Sequence, residues 1–268
     1  VTSTPIDPDP LYVLDWEEFE EGVPPGPPSG WRRDYTLEPS TAEPPYSIVS
    51  TPGPVRSGAR SARFFLHRQD PLQSSGTRSE LKTPCCEPPG AERWYGFSIY
   101  LPEDWLPDRS RENVAQWKQN DTEPLDPRHG GSPPAALTME QGQWILTTRK
   151  SSWDNTIDQD VCVYALGACE LDKWTDWVLH AKWSEGNEGF LEVWKNCQSV
   201  RILEGQNKFA DGRGHYFKFG VYKWDWNVKD PKDPKYKATA TDKRLLYLDE
   251  VRIADGRGSL EVISPPAT

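Results

Sequence analysis

The sequence predicts an all-β fold, a single two-sheet antiparallel β-jelly roll (a concanavalin-like sandwich) with a concave groove on one outer face. Three observations predict it. Twenty-six prolines and twenty glycines in 268 residues cut the chain into short segments, and no long stretch repeats at the 3.6-residue period of a helix. About ten segments alternate apolar and polar residues at period two, spaced as in a sandwich or jelly roll. No internal repeat or composition break divides residues 11–264, so they form one domain behind a proline-rich, flexible N-terminal tail at 1–10.

Taken in order, residues 12–16 open the fold as a strand, followed by acids at 17–21, a proline-glycine loop at 24–30 and a loop-rich stretch to 54. Residues 62–68 alternate, with Ala62, Phe64 and Leu66 inward and Arg63, Phe65 and His67 on the other face. The short strand 78–82 puts Arg78, Glu80 and Lys82 on one face. Strand 93–101 stops at Pro102, and 103–111 is a turn or short helix. In 113–118, alternation sets Val114, Gln116 and Lys118 against Ala115 and Trp117. Residues 121–134 form a polar loop of a length that usually carries function or disorder. Strands follow at 135–140, 143–149, 177–183, 190–195, 214–224 and 245–253, with a solvated loop at 225–242. The strand 214–224 is the most informative. Phe217, Phe219 and Val221 make a buried face, while Tyr216, Lys218, Tyr222 and Trp224 form a polar aromatic row with a gap at Gly220. Such a row suits a sugar, whose rings stack on aromatics and whose hydroxyls and acid groups meet polar partners.

The net charge is −10, but most of the excess acid lies in residues 1–50. Residues 54–93 are locally basic, so overall acidity does not exclude an anionic ligand. No apolar run approaches the roughly 20 residues of a membrane span, and neither membrane nor nucleic acid is expected as a partner. Thirteen tryptophans suggest exposed stacking surfaces as well as core. The five cysteines have no paired C-x-x-C spacing for zinc. Cys162 and Cys169 read as a local disulfide across a short turn, and Cys197 as a partner for Cys85 or Cys86. Disulfides, together with a start lacking a basic-plus-apolar leader, point to a processed, secreted protein working as a monomer. Asn120-Asp121-Thr122 is a glycosylation sequon, relevant in a eukaryotic source. Asp15, Glu18 or Glu20 of the acidic opening stretch, with Asp249, suggests a structural Ca²⁺, which takes oxygen ligands; Glu18 and Asp249 are the named candidates. No organic cofactor is expected.

Arg78-Ser79-Glu80-Leu81, Gln116-Trp117-Lys118 and Tyr216-Phe217-Lys218-Phe219-Gly220-Val221-Tyr222 resemble, in this order, the three strand motifs of the jelly-roll polysaccharide lyases. In the alginate lyases these read R-[ST]-E-L, Q-I-H and Y-F-K-x-G-x-Y. The wider outline is more similar to the glucuronan lyases and the heparin-lyase-like group. It comprises Leu14-Asp15-Trp16-Glu17-Glu18-Phe19-Glu20, then Trp94-Tyr95-Gly96-Phe97-Ser98-Ile99-Tyr100-Leu101-Pro102, and finally Tyr247-Leu248-Asp249-Glu250-Val251. The resemblance covers about residues 11–254 and implies an acidic polysaccharide substrate, cut by β-elimination at a 1,4-linkage beside a uronate.

That reaction must neutralise the uronate carboxylate, withdraw the C-5 proton and protonate the leaving oxygen. Arg78 and Gln116 suit the first task, a cationic fork and an amide donor. Tyr222 suits proton donation, and as a phenol of ordinary pKa near 10 it needs cations nearby to act as a base as well. Tyr216, Lys218, Trp224, Glu80, Lys82 and Arg63 are expected to bind substrate. Lys118 stands where the alginate-lyase motif has histidine. Of the four histidines, His67 is the candidate to enter the groove, His129 lies in the long loop, and His180 and His215 read as structural. A glycoside hydrolase would need two flanking carboxylates, and the E-x-D-x-x-E strand motif of laminarinase-like sandwiches is absent from the sequence. A non-catalytic carbohydrate-binding module is the remaining rival, since it would use the same aromatic row.

Overall fold

A computed structural model describes residues 48–72, 76–83, 87–119, 132–151 and 160–266, together with the backbone of two short strands at 11–13 and 38–39. The strands are β1 (Leu11–Val13), β2 (Glu38–Pro39), β3 (Ile48–Thr51), β4 (Ser61–His67), β5 (Thr77–Lys82), β6 (Glu92–Leu101), β7 (Glu112–Gln119) and β8 (Ala135–Glu140). They continue as β9 (Gln143–Lys150), β10 (Asp160–Ala168), β11 (Lys173–Lys182), β12 (Phe190–Lys195), β13 (Gln198–Glu204), β14 (His215–Lys223) and β15 (Lys243–Asp255). A 3₁₀ turn (Trp224–Asn227) follows β14, and one helical turn, α1 (Leu260–Ile263), follows β15. Two antiparallel sheets result. The first runs β13-β12-β11-β6-β15-β4-β3 with β1 also on β15, and the second runs β10-β9-β8-β7-β14-β5-β2.

Alternation decides the layers. The first sheet turns Phe64, Leu66, Phe97, Ile99, Trp177 and Leu246 inward, and the second meets them with Leu81, Trp117, Leu137, Trp144, Phe217 and Phe219. Phe217 is a hub, its ring 5.1 Å from Trp117, 5.2 Å from Tyr95 and 5.7 Å from Phe97. Truncating such a core aromatic to alanine costs about 3–5 kcal/mol. The tryptophans serve this core rather than the surface. Trp117, Trp144, Trp177, Trp183 and Trp226 are fully buried, and no described tryptophan is exposed.

One end of β14 is pinned from within. Lys223, fully buried, sets its ammonium 3.0 Å from Asp108 and 3.7 Å from Glu112, and Arg244 binds the same two carboxylates at 3.3 and 2.7 Å. Burial works against the Asp108 charge, but Lys223, Thr239 and the Ser110 N–H outweigh it and hold that carboxyl below its ordinary range. At Glu112 burial wins and pushes the carboxyl up, against the pull of Lys223 and Arg244.

Four strands escape the sequence pattern. β2 and β3 are short edge strands, one in each sheet, and β10 and β13 are the opposite edges of the two sheets. Because β10 and β13 have exposed residues on both faces, the burial that writes alternation into a sequence is weak there. The cysteine reading falls with β10. Cys162 and Cys169 are separated by extended strand rather than a turn, and Cys162, Cys169 and Cys197 are free thiols. Burial pushes the Cys169 thiol up to about 12. Cys85, Cys86, the sequon at 120–122 and His129 lie outside the described residues.

Candidate active site

β5, β14 and β7 are neighbours in the second sheet, so register decides which side chains meet. Tyr222 faces Arg78, Gly220 faces Glu80 and Lys218 faces Lys82 across β14–β5. Tyr216 faces Lys118 and Lys218 faces Gln116 across β14–β7. Directly opposed residues share a face, and Phe217, Phe219 and Val221 occupy the core side. Arg78, Glu80, Lys82, Gln116, Lys118, Tyr216, Lys218 and Tyr222 therefore lie together on the outer face of the second sheet.

Glu80 organises them. Only 1% exposed, its carboxylate accepts from Gln116 Nε2 at 2.5 Å and from Arg78 Nη1 at 3.3 Å, with Lys218 Nζ 3.9 Å away. Glu80, expected as a substrate contact, is buried among the donors it accepts from. The Arg78 guanidinium sits over the Tyr222 ring at 4.1 Å, and Lys82 and Lys218 approach the Tyr216 ring at 5.4 and 5.7 Å. A cation against the phenol is what a proton-transfer role for Tyr222 calls for. Trp224, in the 3₁₀ turn, stands 5.9 Å from the Tyr222 ring.

Two glycines hold this geometry. Gly220 adopts φ +134°, and a Cβ there would collide with the Ser79 carbonyl and lie 2.9 Å from Glu80 Cα, so only glycine lets β14 press on β5 at the Glu80 position. At Gly76 a Cβ would come within 2.6 Å of Trp224 Cα and 2.9 Å of the Tyr222 ring.

A β-bulge changes the membership of the site. The β7–β8 register shifts between Asn113 and Ala115, so Val114 turns into the core rather than joining Gln116. Asn113 takes the outer face instead, opposite Tyr222 on one side and Thr138 on the other. Sequence alternation carried back from Gln116 misses Asn113, because an irregular strand reverses parity without a local signal.

His67 and Arg63 are corrections. Both belong to β4 in the first sheet, paired with Lys243 and Tyr247 of β15, and they face away from the core on the far side of the sandwich. Alternation identified their polar face correctly, but it cannot say which sheet a strand joins. His67 Nδ1 accepts from the Gln69 N–H at 3.1 Å. His180 lies on that same outer side, stacked on Trp94 at 3.8 Å between Glu92 and Glu192. His215 is core, its ring 4.4 Å from Trp183, and burial, with Lys208 and Arg93 adding, lowers its pKa to about 3.

The calcium expectation rests on Glu18, outside the described residues, and Asp249. The Asp249 oxygens already accept backbone N–H groups of Arg56 and Glu250 at 2.8 Å and Ser57 at 3.3 Å. Among the described residues no three His, Cys, Asp or Glu side chains gather as a metal would require.

Comparison with known proteins identifies the family. The family model described as polysaccharide lyase matches residues 25–252, and the chain belongs to that family. Among solved structures, the endo-β-1,4-glucuronan lyase of the fungus Trichoderma reesei superposes with TM-score 0.73 at 19% identity, covering 91% of this chain and 97% of that one. The exolytic PL7 alginate lyase AlyA5 of Zobellia galactanivorans gives 0.56 at 10%, covering 79% and 88%. A family 7 alginate lyase, A1-II′ Y284F with bound product, gives 0.52 at 14%, covering 79% and 84%. These likenesses are of fold. No curated protein matches the chain. The protein is a polysaccharide lyase with a two-sheet jelly-roll fold.

Proposed function

We propose that this lyase cleaves 1,4-linked uronate polymers by β-elimination, with glucuronan or another glucuronate-containing chain as substrate. The observation that carries the reading is the gathering of Arg78, Gln116, Lys218 and Tyr222 about the buried Glu80. Arg78 and Gln116, with Asn113 beside Tyr222, neutralise the uronate carboxylate and so stabilise the charge that grows as C-5 loses its proton. The base takes that proton, the electron pair becomes the C-4–C-5 double bond, the C-4–oxygen bond breaks, and Tyr222 protonates the leaving oxygen. In 1,4-linked glucuronate the C-5 proton and the C-4 oxygen lie on the same side of the ring, as they do in mannuronate, so Tyr222 serves first as base and then as acid. The Arg78 guanidinium over its ring favours the phenolate that the base role needs. Lys118, at the motif position of the alginate-lyase histidine, shares the outer face with Tyr222, while His67 belongs to the other sheet. The substrate assignment is supported by the extent of the likeness, which spans nearly the whole of both chains for the glucuronan lyase and about four fifths of this chain for the alginate lyases.

The test is ultraviolet absorbance from unsaturated uronate ends on glucuronan, polymannuronate and heparin-type chains. Cleavage of glucuronan, lost in Tyr222→Phe and retained in Lys118→Ala, is expected. Cleavage of polymannuronate alone would overturn the substrate assignment, and loss of glucuronan cleavage in Lys118→Ala at unchanged affinity would make Lys118 rather than Tyr222 the base.

A further inference from the structure

We propose that Arg149 forms a distal subsite that binds the carboxylate of a uronate about two sugars from the one that reacts. This rests on the uronate reading and extends it to a strand where no sequence motif lies. The register carries Lys118 across the sheet to Arg149. Trp117 faces Ala135 and Ala135 faces Thr148, and the Arg149 N–H donates to the Pro134 carbonyl at 2.7 Å. Arg149 therefore stands in the same row, and on the same outer face, as Tyr216 and Lys118.

Two further features point to a ligand there. The guanidinium is largely withdrawn from water, which pulls its pKa down. Its Nη1 donates to the Pro133 carbonyl at 3.0 Å, and among the described residues no carboxylate pairs with it. A desolvated, uncompensated cation is costly unless an anion joins it. Next to it, β10 turns Val161 and Val163 to this face, opposite Arg149 and Thr147, and they remain 48% and 49% exposed. An apolar floor beside a fork-shaped cation matches a uronate, which has an apolar ring face and a carboxylate edge. Neighbouring strands lie about 4.8 Å apart, close to the length of one sugar in an extended chain. A polymer laid across the strands thus advances about one sugar per strand, from Gln116 on β7 to Arg149 on β9.

Glucuronan oligomers of defined length test the subsite. Against wild type, Arg149→Gln, which keeps a donor for Pro133, should lose about tenfold in kcat/KM on a hexamer, the worth of one charge-assisted contact. Its kcat/KM on the shortest cleavable oligomer should stay within about twofold of wild type, and Arg149→Lys should recover part of the hexamer rate. Titration of hexamer into wild type and Arg149→Gln adds a readout independent of turnover, with weaker and less salt-sensitive binding expected in the variant. Equal losses on both lengths, or none, together with equal hexamer affinity, overturn the subsite. If wild type released no unsaturated ends from any polyuronate, the lyase chemistry proposed above would fail, and the titration alone would still decide whether Arg149 binds the acidic chain.

Discussion

At the scale of residues, Tyr222 and Glu80 make separable predictions. Tyr222→Phe removes one hydroxyl and keeps the ring against Arg78, so it should abolish turnover by about 10²–10⁴-fold, the usual range for a positioned acid or base, with oligomer affinity little changed. Near-normal elimination in Tyr222→Phe would move the acid elsewhere, to Tyr216 first. Glu80→Gln keeps an acceptor for Gln116 but removes the charge that holds Arg78 and Lys218. A Glu80 that touched an acidic polymer would repel it, and its neutralisation would lower KM. A Glu80 that positions donors instead gives a fall in kcat with KM unchanged or raised, and that split in the kinetics is the expected result. A lowered KM at unchanged kcat would return Glu80 to the list of substrate contacts.

At the scale of elements, β14 carries the chemistry on one face and its anchorage on the other, at adjacent residues. Lys223→Met would leave Arg244 as the one cation on Asp108 and Glu112 among the described residues, and breaking a buried ionic group in this way costs about 3–5 kcal/mol. A drop of several degrees in Tm is expected, and a melting curve superposable on wild type would remove the anchoring role. The same strand explains how much was readable in advance. Its alternation, and that of β5 and β7, set Arg78, Gln116, Lys118, Tyr216, Lys218 and Tyr222 on the polar faces of three strands, and the resemblance to the lyase motifs is what joined those strands in one sheet. Three things were not written in the sequence. The bulge at Val114 exchanged Val114 for Asn113. The membership of β4 in the first sheet removed His67 and Arg63, since sheet choice depends on long-range pairing. The edge strands β10 and β13 were exposed enough to lack a pattern, which concealed the face that carries Val161 and Val163.

At the scale of the whole molecule, two buried groups in different sheets give stability an acid dependence of opposite sign. His215 is held neutral, its pKa lowered by burial from 6.5 to about 3. Between those values the unfolded chain binds a proton that the folded one refuses, so this contribution is lost as pH falls below 6.5. Asp249 is the reverse. Burial raises its carboxyl from 3.8 to about 6, only partly offset by the Arg56, Glu250 and Ser57 N–H groups. Between those values the folded chain keeps a proton that the unfolded one releases, so this contribution is lost as pH rises through the window. Each group acting alone contributes a slope of about 1.4 kcal/mol per pH unit, and from pH ~4 to ~6 the two slopes nearly cancel. Removing one group should expose the other. Relative to wild type, His215→Phe should gain stability steadily as pH is lowered across that window, and Asp249→Asn should lose it. Chemical denaturation at several pH values reads both, and slopes rather than absolute stabilities decide, so any packing change made by the substitution itself drops out. Curves for the two variants that run parallel to wild type would mean that His215 and Asp249 titrate alike in the folded and unfolded chains.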